Sequence, residues 1–360
     1  KRESDYKRFK YDINTTEAAR ITGNDRIAEL TPEQICTDAV IDGGACTLVD
    51  TTGAADRFEA DQQIRSYFID TESSISDLAR VNLGVRYEDS IQNITTYQGS
   101  NRDKVENSLL MQDFLPSAGL TYFLTEKMQV RLGYSETISR PAFKDLNPSA
   151  YYDDERDREI NGNTNLKGTI IKNIDARIEW YFGNQENISF GLFSKDFTNP
   201  IEEVAGAFDD EGNLTYSETG YQLANIGNAK AQGFEIEFRK NFGFISPFLE
   251  DLALGGNYAK IDSEVTIFDE LSAQVTNSTR PLQGQSPYVV NVNLDYDNKD
   301  WGTNATILYN VFGERVDTVG TQGLPDIYQQ PFHQLDFVFQ QKFGADFKNK
   351  VKFKVQNLIN

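Results

Sequence analysis

From about residue 61 to the end of the chain, apolar and polar side chains alternate one for one in segment after segment. Ala79, Val81, Leu83, Val85 and Tyr87 fall on one side, and Arg80, Asn82, Gly84, Arg86 and Glu88 on the other. The same pattern places Met128, Val130, Leu132 and Tyr134 opposite Gln129, Arg131, Gly133 and Ser135. It recurs with Ile174, Ala176, Ile178, Trp180 and Phe182 against Asn173, Asp175, Arg177, Glu179 and Tyr181. A period of two is the signature of strands whose faces meet different surroundings. About twelve such segments can be traced, so the expected class is all-β. One of them, QQIRSYFID at 62–70, alternates poorly.

The links between segments alternate in length. Short ones are expected near 72–76, 125–127, 183–186, 244–249, 297–300 and 344–348. Long ones are expected near 89–111, 139–168, 198–228, 262–285 and 314–331. An antiparallel meander built this way has tight turns at one end and long loops at the other. Outer-membrane barrels have that asymmetry. Two further features favour a barrel in lipid over a soluble sheet protein, which alternation alone leaves open. Charged residues share the polar faces with Gly and Asn, as a wet interior requires. The apolar faces often end in Tyr, Trp or Phe (Tyr87, Tyr134, Trp180, Phe182, Tyr288, Tyr296), as interfacial girdles do. No apolar run reaches the ~18 residues of a spanning helix, but a barrel does not need one.

With 55 acidic and 35 basic residues the formal net charge is -20. Phosphate binding needs a basic surface, so nucleic acid is not expected as a partner. Residues 1–60 show no sustained period and are read as a long extracellular loop region, with the wall occupying 61–360. Within that first region a short helix is expected from Thr31, with Thr31 as N-cap and Pro32 at N1. Cys36 and Cys46 have a spacing that suits a small disulfide loop in an oxidising compartment; two free thiols are the alternative. The opening KRESDYKRFKYD lacks the apolar core of a signal peptide.

No catalytic set is visible, and the chain is not expected to be an enzyme. The one histidine, His333, begins a strand with no nucleophile candidate nearby. Two Cys and one His do not make a metal site, and Asp209, Asp210 and Glu211 lack the spacing of a calcium loop. No cofactor is expected. Tyr151, Tyr152, Arg156 and Arg158 lie beside Asp153-Asp154-Glu155 in the long loop near 139–168. They are the candidate ligand-binding residues, with the tyrosines stacking on a sugar face; a solvated loop surface is the alternative. Arg140 and Pro141 end a strand and are expected to set the exit of that loop.

A set of motifs resembles the C-terminal barrel of TonB-dependent receptors. They are YSETISRPAFKDLNP (134–148), GNTNLKGTIIKNIDARIEWYF (162–182), GLFSKDFTNPIE (191–202), NIGNAKAQGFEIEF (225–238), RPLQGQSPYVVNVNLDY (280–296), YNVFGERV (309–316), VGTQGLPDIYQQP (319–331) and VKFKVQNLIN (351–360). The resemblance implies an up-and-down transmembrane β-barrel of 22 strands, of which this chain would supply about twelve. It also implies an N-terminal plug that contacts TonB, which together with the first strands and the last strand is not recognised here, so the chain is read as a piece of such a receptor. The implied location is the outer membrane of a Gram-negative bacterium, among its lipid and lipopolysaccharide. The implied activity is energy-coupled uptake of a scarce solute. The loops suggest a carbohydrate or oligosaccharide, with an iron-siderophore or haem complex as the alternative and a passive porin-like barrel behind both.

Overall fold

The computed structural model describes residues 2–5, 9–24, 26–27, 30–50, 57–98, 103–147, 150–153, 158–205, 207–208, 214–215, 220–268, 275–321 and 323–359. Its main body is one antiparallel sheet of 14 strands. Two of these are short additions, Arg2–Asp5 and Thr279–Arg280. The remaining twelve form the wall, and we number them in chain order. They are β1 (Arg57–Ser76), β2 (Ala79–Gln98), β3 (Asp103–Thr125), β4 (Met128–Ser139), β5 (Thr169–Gly183), β6 (Glu186–Thr198), β7 (Gly227–Asn241), β8 (Leu252–Ile267), β9 (Tyr288–Asn298), β10 (Thr303–Phe312), β11 (Phe332–Phe343) and β12 (Asn349–Val355). Each pairs with its sequence neighbour, so the topology is up-and-down. The sheet stays open between β1 and β12 and does not close into a full barrel.

Register carries the alternation across the wall. Val130, Ile178, Phe190, Ile236, Tyr258, Val290 and Val311 stand opposite one another in turn, making one apolar row over seven strands. The adjacent row holds Gln129, Glu179, Ser189, Glu237, Asn257, Asn291, Asn310 and Gln334 and points the other way. A slip of one residue in any pair would put the whole set on the wrong face. The apolar face stays uncovered: Leu83, Leu132, Ile174, Ile178, Trp180, Ile188, Phe190 and Leu192 are all exposed. Glycines in the wall mark close approach of strands. A Cβ on Gly233 would lie 2.0 Å from the Lys260 carbonyl oxygen, and one on Gly256 2.7 Å from that of Asn291.

Two expectations change. The stretch 89–111 is not a loop. β2 and β3 run on as a ladder to the pair Gln98–Asp103. Burial keeps its period there, in Glu88, Ser90, Gln92, Ile94 and Thr96, but most of the buried residues are polar. Their partners come from the loop after β4. Arg140 reaches Glu88 at 2.6 Å and Ser90 at 3.1 Å, and the Gln92 amide donates to the Pro141 carbonyl at 3.1 Å. The Ser-Arg-Pro corner thus ends a strand and also locks its loop onto the inner face.

Residues 1–60 are likewise more than a loop. Helices α1 (Thr15–Thr22), α2 (Pro32–Ile35) and α3 (Asp38–Asp42) pack with the paired strands Phe9–Ile13 and Cys46–Asp50. Ala18, Ile27, Ile35, Val40, Ala45 and Cys46 form a small core of their own. The Asn14 side chain accepts from the Glu17 N–H at 3.1 Å and starts α1; Gly23, at φ 67°, ends it. α2 begins at Thr31 with Pro32 at N1, as the sequence suggests. Cys36 and Cys46 are disulfide-bonded. The wall begins at Arg57, a few residues before the expected 61.

Candidate functional site

Short strands within the loops after β4 and β6 build a four-stranded sheet in the order Ile201–Ala205, Gly220–Asn225, Arg158–Asn161, Ala150–Asp153. Its central pair is parallel. The loops after β8 and β10 join through bridges of Val204 to Val319 and of Val275 to Thr321. Beneath lies an apolar cluster of Val204, Ala224, Ile226, Ala229, Val265, Ile267, Val275, Val316 and Val319. The result is a plate at the long-loop end of the wall.

Two arginines hold this plate. Glu202 and Glu203 are neighbours on one strand, so their side chains leave on opposite faces. Arg280, 4% exposed, pairs with Glu202, also 4% exposed. Arg158, 8% exposed, pairs with Glu203 at 2.7 Å and with Asp317 at 3.2 Å, bonds to Thr318, and lies over the Tyr221 ring at 4.6 Å. Gln283 ties the two pairs together. Its N–H donates to Glu202 at 2.8 Å, its side-chain oxygen accepts from the Glu203 N–H at 2.7 Å, and its amide donates to the Asp317 carbonyl at 2.6 Å. Residues from four loops therefore meet in one buried polar knot. Buried charges are tolerated when paired and hydrogen-bonded in this way.

The candidate ligand residues divide. Tyr151 sits half-buried on the outer strand of the plate, with the Lys144 ammonium 4.6 Å from its ring centroid. That contact occupies one face of the ring. The backbone of Tyr152 pairs with Glu159, and its side chain lies outside the described residues, as does Arg156. Arg158 belongs to the buried knot and not to the open mouth, which corrects its expected place. Asp209, Asp210 and Glu211 are outside the described residues. The residues that sequence reading missed are Glu202, Glu203, Arg280, Gln283 and Asp317. A signal for two of them existed: PIEEVA sets two adjacent carboxylates in an otherwise apolar strand, a pattern that calls for buried partners.

Nearer the short turns the polar face forms a groove of about 650 Å³. Arg80, Arg131 and Arg177 line it together with Glu72, Asp175 and Glu179. Glu179 is buried between Arg177 at 3.1 Å and Arg131 at 3.3 Å, and Arg177 also reaches Glu237 at 2.6 Å. Such a surface suits ionic and hydrogen-bonding groups. His333 points the opposite way and is bonded through Nδ1 to the Tyr309 hydroxyl at 2.7 Å. Among the described residues no group of three His, Cys, Asp or Glu side chains is placed to hold a metal ion.

A family model for the TonB-dependent receptor-like β-barrel matches residues 9–358. No curated protein sequence matches. Among solved structures, the chain is similar to the ferric-catecholate import receptor Fiu of E. coli K12, with a TM-score of 0.60 and 15% identity over 87% of this chain and 42% of that one. It is similar to the siderophore receptor PiuA from Acinetobacter baumannii, at 0.58 and 15% over 87% of this chain and 40% of that one. It is also similar to the ferric yersiniabactin uptake receptor FyuA from Yersinia pestis, at 0.58 and 14% over 84% and 41%. The chain thus spans about two-fifths of the length of these receptors. At such identities the likeness speaks to fold.

Proposed function

The chain belongs to the TonB-dependent receptor β-barrel family, and from that premise we propose that it forms the wall and outer mouth of an importer for an iron chelate. The family places it in the outer membrane of a Gram-negative bacterium. Its apolar face meets lipid, its polar face meets the interior, and the plate lies at the end where outer loops are long. The solute crosses unchanged, without covalent chemistry. TonB, acting through the plug of the whole receptor, supplies the work.

The observation that carries the iron-chelate reading is the groove on the inner face, where Arg80 stands beside Arg131 and Arg177, the last two already paired with Glu179. Guanidinium groups recognise the oxygen-rich, anionic surface of a ferric chelate, and they do so against a chain of net charge -20. Support also comes from the fold-sharing proteins, named for ferric-catecholate, siderophore and ferric yersiniabactin uptake. The carbohydrate expectation, which leaned on the loops, gains nothing from them.

The test is uptake by the whole receptor in cells without other chelate receptors. Radiolabelled iron offered as a ferric catecholate should enter only when TonB is active. A labelled oligosaccharide should not. TonB-dependent entry of the oligosaccharide without the iron would reverse the assignment. Entry of either without TonB would restore the passive porin-like reading.

A further inference from the structure

On the inner face of the wall, arginines are held by carboxylates. Arg86 is held by Glu88 at 2.5 Å, Arg131 and Arg177 by Glu179, and Arg239 by Asp295 at 2.7 Å. The last two strands differ. Residues 332–357 carry five lysines and two aspartates, in a chain of net charge -20. Val355 continues the lipid-facing row of Leu294, Ile307 and Phe337, and Phe353 that of Tyr296, Ala305 and Phe339. Lys350, Lys352 and Lys354 alternate with them on β12 and so face the interior. Lys342, on β11, pairs with Lys350 and shares that face. All four are exposed.

The carboxylates of this region are few and engaged. Asp336, near Lys354, already accepts from the Asn357 N–H and the Gln334 amide, each at 3.0 Å. Asp346 lies in the turn, 3.6 Å from Lys348. Asp297 shares the row of Lys352 but stands three strands away, about 14 Å off. Among the described residues the ammonium groups of Lys342, Lys350 and Lys352 have no hydrogen bond or ion pair. Like charges placed directly opposite, as Lys342 and Lys350 are, destabilise a sheet. Lysine on an edge strand can guard against stray pairing, but Lys342 is on an interior strand with both neighbours present.

We infer that this stripe is a binding site for a compact polyanion at the short-turn end of the interior, and that the anionic chelate passes over it as it leaves. From Lys350 to Lys354 the stripe runs about 13 Å along the strand. That length meets several anionic oxygens of one solute together. The residue type fits passage. A guanidinium held by a carboxylate is a fixed fork, whereas an ammonium on a four-carbon stem is a mobile, strongly hydrated point charge. Mobile charges draw an anion along without a defined pose, and salt screens the attraction. The anion site stands on the stripe alone; its place in transit rests on the iron-chelate reading.

The test has two arms, both on the whole receptor. In detergent, lysine acetylation is followed residue by residue by mass spectrometry, with and without tripolyphosphate or a ferric catecholate. Each anion should slow acetylation of Lys342, Lys350 and Lys352 about threefold or more, and high salt should abolish the protection. Lys172, exposed on the outward face between Glu136 and Asp196, should react at one rate throughout. In cells, Lys342→Gln with Lys350→Gln and Lys352→Gln should lower TonB-dependent entry of the ferric catecholate about fivefold and leave its binding to TonB-inactive cells unchanged. The three Arg replacements should restore entry, which a role in assembly alone does not explain if surface binding never fell. Absence of protection by either anion overturns the site. Lysines already shielded without added anion overturn it too, since an acidic stretch of the receptor itself would then hold them. Entry by the Gln variant at the wild-type rate overturns the role in passage. Protection by tripolyphosphate in a wild type that imports no ferric catecholate upholds the anion site and overturns the iron-chelate reading.

Discussion

At the scale of single residues the molecule separates charges that are locked from charges that are open. Arg280 and Glu202 are locked, and removing one partner strands the other in a dry place. Arg280→Met is expected to destabilise the plate by about 3–5 kcal/mol, and Arg280→Met with Glu202→Leu by much less. Limited proteolysis in the 199–226 loop reads the difference. On the wall, Ile178 is 39% exposed to the lipid side, whereas Arg177 turns inward to Glu179 and Glu237. Ile178→Arg should impair membrane assembly by about 2–4 kcal/mol. Arg177→Ala should be milder, because Arg131 still holds the buried Glu179. A reversal in assembly assays would mean the faces are misassigned. Asp145, in the turn after Pro141, has its carboxyl pushed above the usual range by burial, partly offset by the Ala142 N–H at 2.8 Å. A raised acid binds its proton more readily folded than unfolded. Its contribution is thus full at low pH and is lost as pH rises through the raised value. Asp145→Asn should flatten that dependence in a pH series of loop protection.

At the scale of elements, the register makes a direct prediction. Ser189 and Glu237 face each other on β6 and β7. Cysteines at both positions should cross-link on oxidation, and cysteines at Ser189 and Gln232 should not. The small helical unit is stapled by Cys36–Cys46, ten residues apart in sequence. Cys46→Ser should cost it about 2–3 kcal/mol, seen as faster amide exchange in α1. The wall strands from β4 onward were legible because each separates two chemically different media, and that difference is written at every second residue. The upper half of β2 was not. Its buried side carries Glu88, Ser90 and Gln92, whose partners sit about fifty residues away in the chain and leave no local mark. The plate strands are short, and their pairings, such as Arg158–Asn161 with Gly220–Asn225, join separate loops. Periodicity cannot report a partnership of that kind, so Arg158 read as a surface charge when it is a buried one.

At the scale of the whole molecule, an open sheet edge in hydrocarbon leaves backbone N–H and C=O groups without partners. The membrane form must therefore pair both β1 and β12. The knot of Arg158, Arg280, Glu202, Glu203, Gln283 and Asp317 matters at this scale too, because it makes the outward surface a single object. A macromolecule arriving at the long-loop end meets a face stitched from four separate lengths of chain. A synthetic peptide copying any one loop reproduces a fragment of that face without its shape. Immunogens against such a receptor need the folded plate, and escape by altering one loop alone is constrained by the three others it is tied to.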